Sequence, residues 1–185
     1  MKRIVLTFGL IAGAILSAMM AITMPFHDKI GPNNGMVIGY TTMVLAFLLV
    51  FFGIRSYRDT VGNGRISFGR ALGVGLLIML IASACYVVTW EIIYFNFLPD
   101  FGEKYAAHAA ETLRNSGKPP EQIQQEIDQM TKMMTLYKNN IFFNLAITFS
   151  EPLPVGLVMT LISALILRKR EPKERLETGL PHLQN

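Results

Sequence analysis

Two acidic residues, Glu91 and Glu151, stand inside or at the rim of stretches that are otherwise apolar. Charged side chains at membrane depth are costly, and where they occur they mark ion or proton pathways more often than accidents. Glu91 lies about 20 residues beyond Ala71 and Glu151 about 16 before Leu167, heights of ~30 and ~24 Å at ~1.5 Å per helical residue. Their helices run in opposite directions, so the two groups can meet at one level, with His27, Asp28, Asp100 and His108 in loops on the same side. Two carboxylates held close together share a proton or bind a cation. A structural reading fits the same residues. Glu91 is flanked by Trp90 and Tyr94, as in an aromatic belt where a carboxylate faces interfacial water. Glu151 precedes Pro152 and can sit at a helix start, where the helix dipole favours an anion.

Other chemistry is not visible. The chain has no HExxH, GxSxG or GxxxxGK motif, and Gly62-Asn63-Gly64 lacks the setting of a dinucleotide fingerprint. His27, His108 and His182 are far apart, so no zinc pattern forms, and Cys85, the single cysteine, makes no intramolecular disulfide. We therefore expect no enzyme activity and no cofactor. Arg55, Arg58, Arg65 and Arg70 could contact anionic lipid headgroups, although membrane topology alone accounts for basic residues in such a loop. Gly9, Gly13, Ser17 and Ala21 repeat every four residues, and Gly156, Thr160 and Ala164 form a weaker ladder; such faces let helices approach closely, within the bundle or across a homodimer seam. The methionines Met130, Met133 and Met134 fit an adaptable apolar helix face better than a soft-metal site.

The elements that position these residues are apolar runs. With 51% hydrophobic and 16% charged residues, the chain is too apolar for an ordinary soluble domain. A membrane crossing takes ~20 apolar residues. The runs predict transmembrane helices over 4–24, 36–54, 68–97 and 141–167, the last interrupted by Ser150-Glu151-Pro152-Leu153-Pro154. None alternates as a barrel strand would. The expected fold is all-α, a four-helix integral membrane bundle in one domain over 1–170, with a disordered cytoplasmic tail over 171–185.

The net charge of +4 does not imply nucleic acid, because the basic residues are sorted by position. Lys2 and Arg3, the four loop arginines, and Arg168, Lys169, Arg170, Lys173 and Arg175 fall on one side, while the first loop on the other side carries only Lys29. The positive-inside rule then places both termini in the cytoplasm. The first run is too long for a signal-peptide core and lacks a convincing cleavage site, so a retained helix is expected. The connection 99–140 is too long to be structureless. Phe101, Tyr105, Ala109 and Leu113 give one amphipathic face, and Ile123, Ile127, Met130, Met134 and Tyr137 another, on either side of Ser116-Gly117-Lys118-Pro119-Pro120. This predicts a periplasmic helical hairpin, its first helix starting at a capping box from Asp100 to Glu103. Ser67 is placed to cap the third span.

Gly9-Leu10-Ile11-Ala12-Gly13, Ile38-Gly39-Tyr40, Phe51-Phe52-Gly53-Ile54, Arg58-Asp59, Ile66-Ser67-Phe68-Gly69-Arg70-Ala71 and Pro154-Val155-Gly156-Leu157 carry a resemblance. Over about residues 4–170 the chain resembles a family of bacterial integral membrane proteins, domain of unknown function 4199. The resemblance implies a four-helix inner-membrane protein and supplies no activity, ligand or site. Two functional classes follow from the residues. The first is a multi-pass, non-enzymatic scaffold, assembly or regulatory protein whose partners are membrane lipids and a protein partner or second copy, with no nucleic acid. The second is a small proton, cation or solute carrier or channel using Glu91 and Glu151.

Overall fold

The computed structural model describes residues 1–98 and 100–169; the tail expected over 171–185 lies outside the described residues. The chain is a succession of helices: α1 (Lys2–Thr23), a 3₁₀ turn (Met24–Phe26), α2 (His27–Ile30), α3 (Pro32–Thr60), α4 (Phe68–Phe97), α5 (Phe101–Arg114), α6 (Pro120–Asn139), α7 (Ile141–Ser150) and α8 (Pro152–Leu167). Four stretches are long and apolar enough to cross a membrane: Lys2–Phe26, Asn34–Thr60, Phe68–Phe97 and Ile141–Leu167. The fourth is α7 and α8 in succession, broken at Glu151, where proline at the first turn of α8 supplies no N–H to the preceding helix.

The second span is longer than its apolar run. It continues past Ile54 through Arg55, Ser56, Tyr57, Arg58 and Asp59 to Thr60. None of these residues breaks a helix, and polar residues complete the turns beyond the apolar layer. The Gly62-Asn63-Gly64 turn ends it, with Asn63 at φ 47° and Gly64 at φ 79°. A Cβ at Gly62 would collide with the carbonyl of Arg65, so glycine is required for the chain to fold back this tightly. The caps differ from the sequence expectation. Ser67 and Asp100 occupy the N-cap positions of α4 and α5, but neither side chain makes the capping bond. Asn140 does cap α7, its Oδ1 accepting from the Phe143 N–H at 3.1 Å.

In the bundle α1 and α8 each pack on both α3 and α4, and α3 and α4 meet across the diagonal. The core is Phe47, Val50 and Ile54 of α3 against Val74, Ile78 and Met79 of α4, closed by Ala12, Ala46, Ala82 and Ala164. Outward faces carry large exposed apolar side chains such as Leu6, Leu10, Leu45, Val88, Leu161 and Ile166. Inward faces bury small and polar ones, including Ser83, Asn144, Thr148, Thr160 and Ser163. Helices that keep large apolar side chains outward and set small and polar ones among the inner contacts are arranged for lipid, where contact between backbones rather than exclusion of water drives packing.

Close approach is visible along α1. A Cβ on Gly9 would lie 2.8 Å from Cβ of Ile81, and one on Gly13 would lie 2.6 Å from Cβ of Cys85. One turn on, Thr89 donates to Ser17 Oγ at 2.7 Å. The Gly9–Gly13–Ser17 face is thus seated on α4. On α8, Gly156 faces Met79 and Phe47, and Thr160 faces Gly75. At the basic end, the Lys169 N–H donates to the Ile66 carbonyl at 3.0 Å, an isolated antiparallel bridge that ties the α3–α4 loop to the end of α8.

α5 and α6 pack together as a helical hairpin, reversed through Gly117 at φ 72°. α6 ends at Asn139 and the single extended residue Asn140 links it to α7, so the hairpin's second arm leads directly into the fourth span.

Candidate functional site

Among the described residues, the fully buried side-chain hydrogen bonds gather around the last three turns of α4. Tyr86, Trp90 and Tyr94 recur every four residues and so lie on one stripe of that helix. The stripe faces the break between α7 and α8 and the base of the hairpin. Tyr86 Oη donates to Glu151 Oε2 at 2.6 Å. One turn higher, Trp90 Nε1–H donates to Tyr137 Oη at 2.7 Å. Tyr137 Oη lies 2.9 Å from Thr148 Oγ1, and Thr148 donates to Asn144 Oδ1 at 3.3 Å. Asn144 Nδ2 donates back to the Tyr137 carbonyl at 3.4 Å.

The direction of this chain follows from its ends. Indole N–H can only donate, so Tyr137 accepts there and spends its single proton on Thr148, which in turn spends its own on Asn144. Every member is buried and every member is satisfied, the condition under which a buried network rigidifies its surroundings. Burial pushes the Tyr137 phenol above its ordinary range, against the opposing pull of its hydrogen bonds to Thr148 and Trp90, so it stays a protonated donor.

Rings complete the joint. Trp90 meets Phe101 edge-on at 5.1 Å between centroids, and Tyr94 meets Tyr137 edge-on at 5.5 Å. Phe101 opens α5 and Tyr137 closes α6, so both ends of the hairpin are fixed to the same two turns of α4. Edge-to-face pairs of this kind add about 0.5–1.5 kcal/mol each beyond their burial.

The two carboxylates are not joined to each other. Glu151 is exposed at the α7–α8 break and bonded to Tyr86. Glu91 follows Tyr86 by five residues, ~140° around the helix, but its charge stays within electrostatic reach of Tyr137. Glu91 is half-buried, and both carboxylate oxygens are shut off from solvent with no hydrogen-bond partner among the described residues. Ser83 Oγ and Thr160 Oγ1, deeper in the bundle, are in the same condition. His27 and Asp28 belong to α2, and their side chains lie outside the described residues. Asp100 and His108 are exposed on the hairpin. Among the described residues, no group of three His, Cys, Asp or Glu side chains could hold a metal ion.

The four arginines separate into two kinds. Arg58 Nε lies 2.7 Å and Arg55 Nε 3.7 Å from the Asp59 carboxylate on the last turns of α3. Arg65 and Arg70 are exposed on the loop and the first turn of α4.

The sequence does not single out Tyr86, Asn144 or Thr148, and it places Tyr137 only on an apolar helix face. A signal existed for two of them: Asn144 and Thr148 are polar, four apart, inside an apolar run, and so share one helix face. Tyr137 was legible only as the end of an apolar face, since its partner Trp90 lies a whole hairpin away.

No curated protein and no solved structure matches the chain. The profile of a family described as "Protein of unknown function (DUF4199)" matches residues 7–169, nearly the whole length, and the chain belongs to that family.

Proposed function

We propose that the chain is a non-enzymatic multi-pass protein of the bacterial inner membrane that holds a helical hairpin rigidly outside the bilayer and acts through it as a scaffold, assembly or regulatory element. The basic end faces the cytoplasm and the hairpin faces the periplasm, in keeping with the distribution of Lys and Arg. The observation that carries this reading is the joint at the hairpin's base. Two ring contacts and a closed hydrogen-bond chain tie both arms to α4, which is more order than a passive connection needs. Within a turn of that base the arms keep Tyr105, Met133 and Leu136 exposed, apolar surface available to a protein partner or a second copy.

The test compares two full-length variants in membranes, after each is shown to insert and unfold like the parent. Ile127→Asp, on the half-buried face between the arms, is expected to abolish chemically cross-linked adducts of the hairpin. Glu91→Gln/Glu151→Gln is expected to leave them intact. Adducts that persist in Ile127→Asp would remove the hairpin from the function.

One observation favours a second reading, a small proton, cation or solute carrier: the carboxylate of Glu91 within the third span has no hydrogen-bond partner among the described residues. It requires flux in proteoliposomes that a single Glu→Gln change abolishes while the protein still inserts normally.

A further inference from the structure

At the basic end of the bundle an open groove of about 520 Å³ runs between α1 and α3, lined by Phe8, Leu49, Phe52, Arg55, Ser56 and Asp59. Its polarity is graded. The α3 residues lie along one face, and over ~15 Å of helix the lining changes from Leu49 and Phe52 through Arg55 and Ser56 to Asp59. Phe8 forms the opposite wall and is seated over Gly53, where a Cβ would come within 3.2 Å of its ring.

The charges at the mouth divide their work. Arg58 is held 2.7 Å from Asp59, its side chain only 18% exposed, and it neutralises that carboxylate. Arg55 is 3.7 Å from the same carboxylate and 57% exposed. Its guanidinium therefore keeps donors turned to the surroundings. Lys169, at the end of α8, adds positive charge within electrostatic reach of Asp59. Three cations thus surround one carboxylate above an apolar trough. Guanidinium binds phosphate oxygens through paired N–H donors while its stem lies along apolar surface.

We propose that this groove binds one anionic phospholipid of the leaflet at the basic end, its acyl chain along Phe8, Leu49 and Phe52 and its phosphate on Arg55. Apolar lining below, a hydroxyl on Ser56 beside Arg55 and a surplus of positive charge above match the order of parts in such a lipid. The site is distinct from Glu91, Glu151 and the hairpin joint, which lie toward the other end of the bundle.

The test uses delipidated full-length protein in detergent, with lipid adducts counted by native mass spectrometry. The probes are phosphatidylglycerol, phosphatidylethanolamine and inorganic phosphate. Phosphatidylglycerol is expected to be retained in preference to phosphatidylethanolamine. Arg55→Gln lowers that retention about fivefold, the change expected for one basic residue at an anionic surface. Asp59→Asn raises it, because Arg58 is released, and Arg65→Gln, at the same end but off the groove, leaves it unchanged. Phe52→Ala, which removes an acyl wall from an exposed position, lowers retention of both lipids and keeps the proposal testable if the arginine variant fails to fold. Equal losses in Arg55→Gln and Arg65→Gln would reduce the effect to a general basic surface and overturn the site. Displacement of the lipid by inorganic phosphate at comparable concentration would overturn the lipid as occupant.

Discussion

Thr148 lies midway along the buried chain from Trp90 to Asn144, and a methyl in place of its hydroxyl strands two groups at once. Thr148→Val leaves the Tyr137 hydroxyl without an acceptor and Asn144 Oδ1 without a donor. Single hydrogen bonds between membrane helices average about 0.6 kcal/mol, but orphaned buried groups cost about 1–3 kcal/mol. The larger figure is expected here, read as the loss of unfolding free energy in detergent. The protein has one tryptophan, so its fluorescence reports this joint alone. Tyr137→Phe removes the acceptor of the indole N–H and shifts the emission, whereas Thr148→Val leaves that bond in place and the emission near wild type. The two variants also part in alkali. Folded Tyr137 holds its proton above the ordinary value of 10.0, so its contribution is fully present below about pH 10 and lost as the pH climbs through the folded value. Tyr137→Phe should flatten that fall and Thr148→Val should keep it. At this scale the sequence is legible by residue type and silent on pairing: Glu91 and Glu151 stand out as acids among apolar neighbours, yet Glu151 is bonded to a tyrosine that looks like one more interfacial aromatic.

Helices meet here through missing side chains as much as through present ones. Gly13→Ala would place a methyl 2.6 Å from Cys85 Cβ, where α1 and α4 approach closely, and is expected to cost about 1–3 kcal/mol through overpacking. Gly73→Ala, on the exposed side of α4 with nothing within 4 Å, should instead add about 0.5–1 kcal/mol by relieving a flexible backbone. Thermal unfolding of the two variants side by side checks the opposite signs. The four-residue ladder on α1 was legible from spacing, but its partner was not, since α4 offers small residues on several faces. The end of the second span was not legible either. Hydropathy falls at Arg55, whereas the backbone responds to breakers and meets none before Gly62. The fourth span's break was plain from Pro152 and Pro154, because proline acts on the backbone wherever it stands.

For the whole molecule, the number of spans is legible because the bilayer's thickness sets a length that soluble cores do not. Their arrangement is much less so. Lipid-facing Leu, Ile and Phe look like core residues, which leaves only Gly, Ser, Thr and Asn to show the inward faces. Orientation is a matter of charge and can be measured directly. In a Cys85→Ala background, Ser116→Cys at the hairpin turn should react with an impermeant maleimide in cells whose outer membrane alone is opened. Arg65→Cys should react only after the inner membrane is lysed. The reverse pattern would invert the protein.

The bridge between Ile66 and Lys169 has a consequence in time. The loop carbonyl emerges from the ribosome early, and its partner N–H is made only when the last span is complete. At roughly 5–20 residues per second, the loop waits several seconds for that bond. Until then α3 and α4 can pair with α1, but the corner reserved for α8 stands open, with Thr160's future neighbour Gly75 facing lipid. Closing the bridge therefore waits on the last span, and a chain truncated before α8 would be left with an unfilled cleft along α3 and α4.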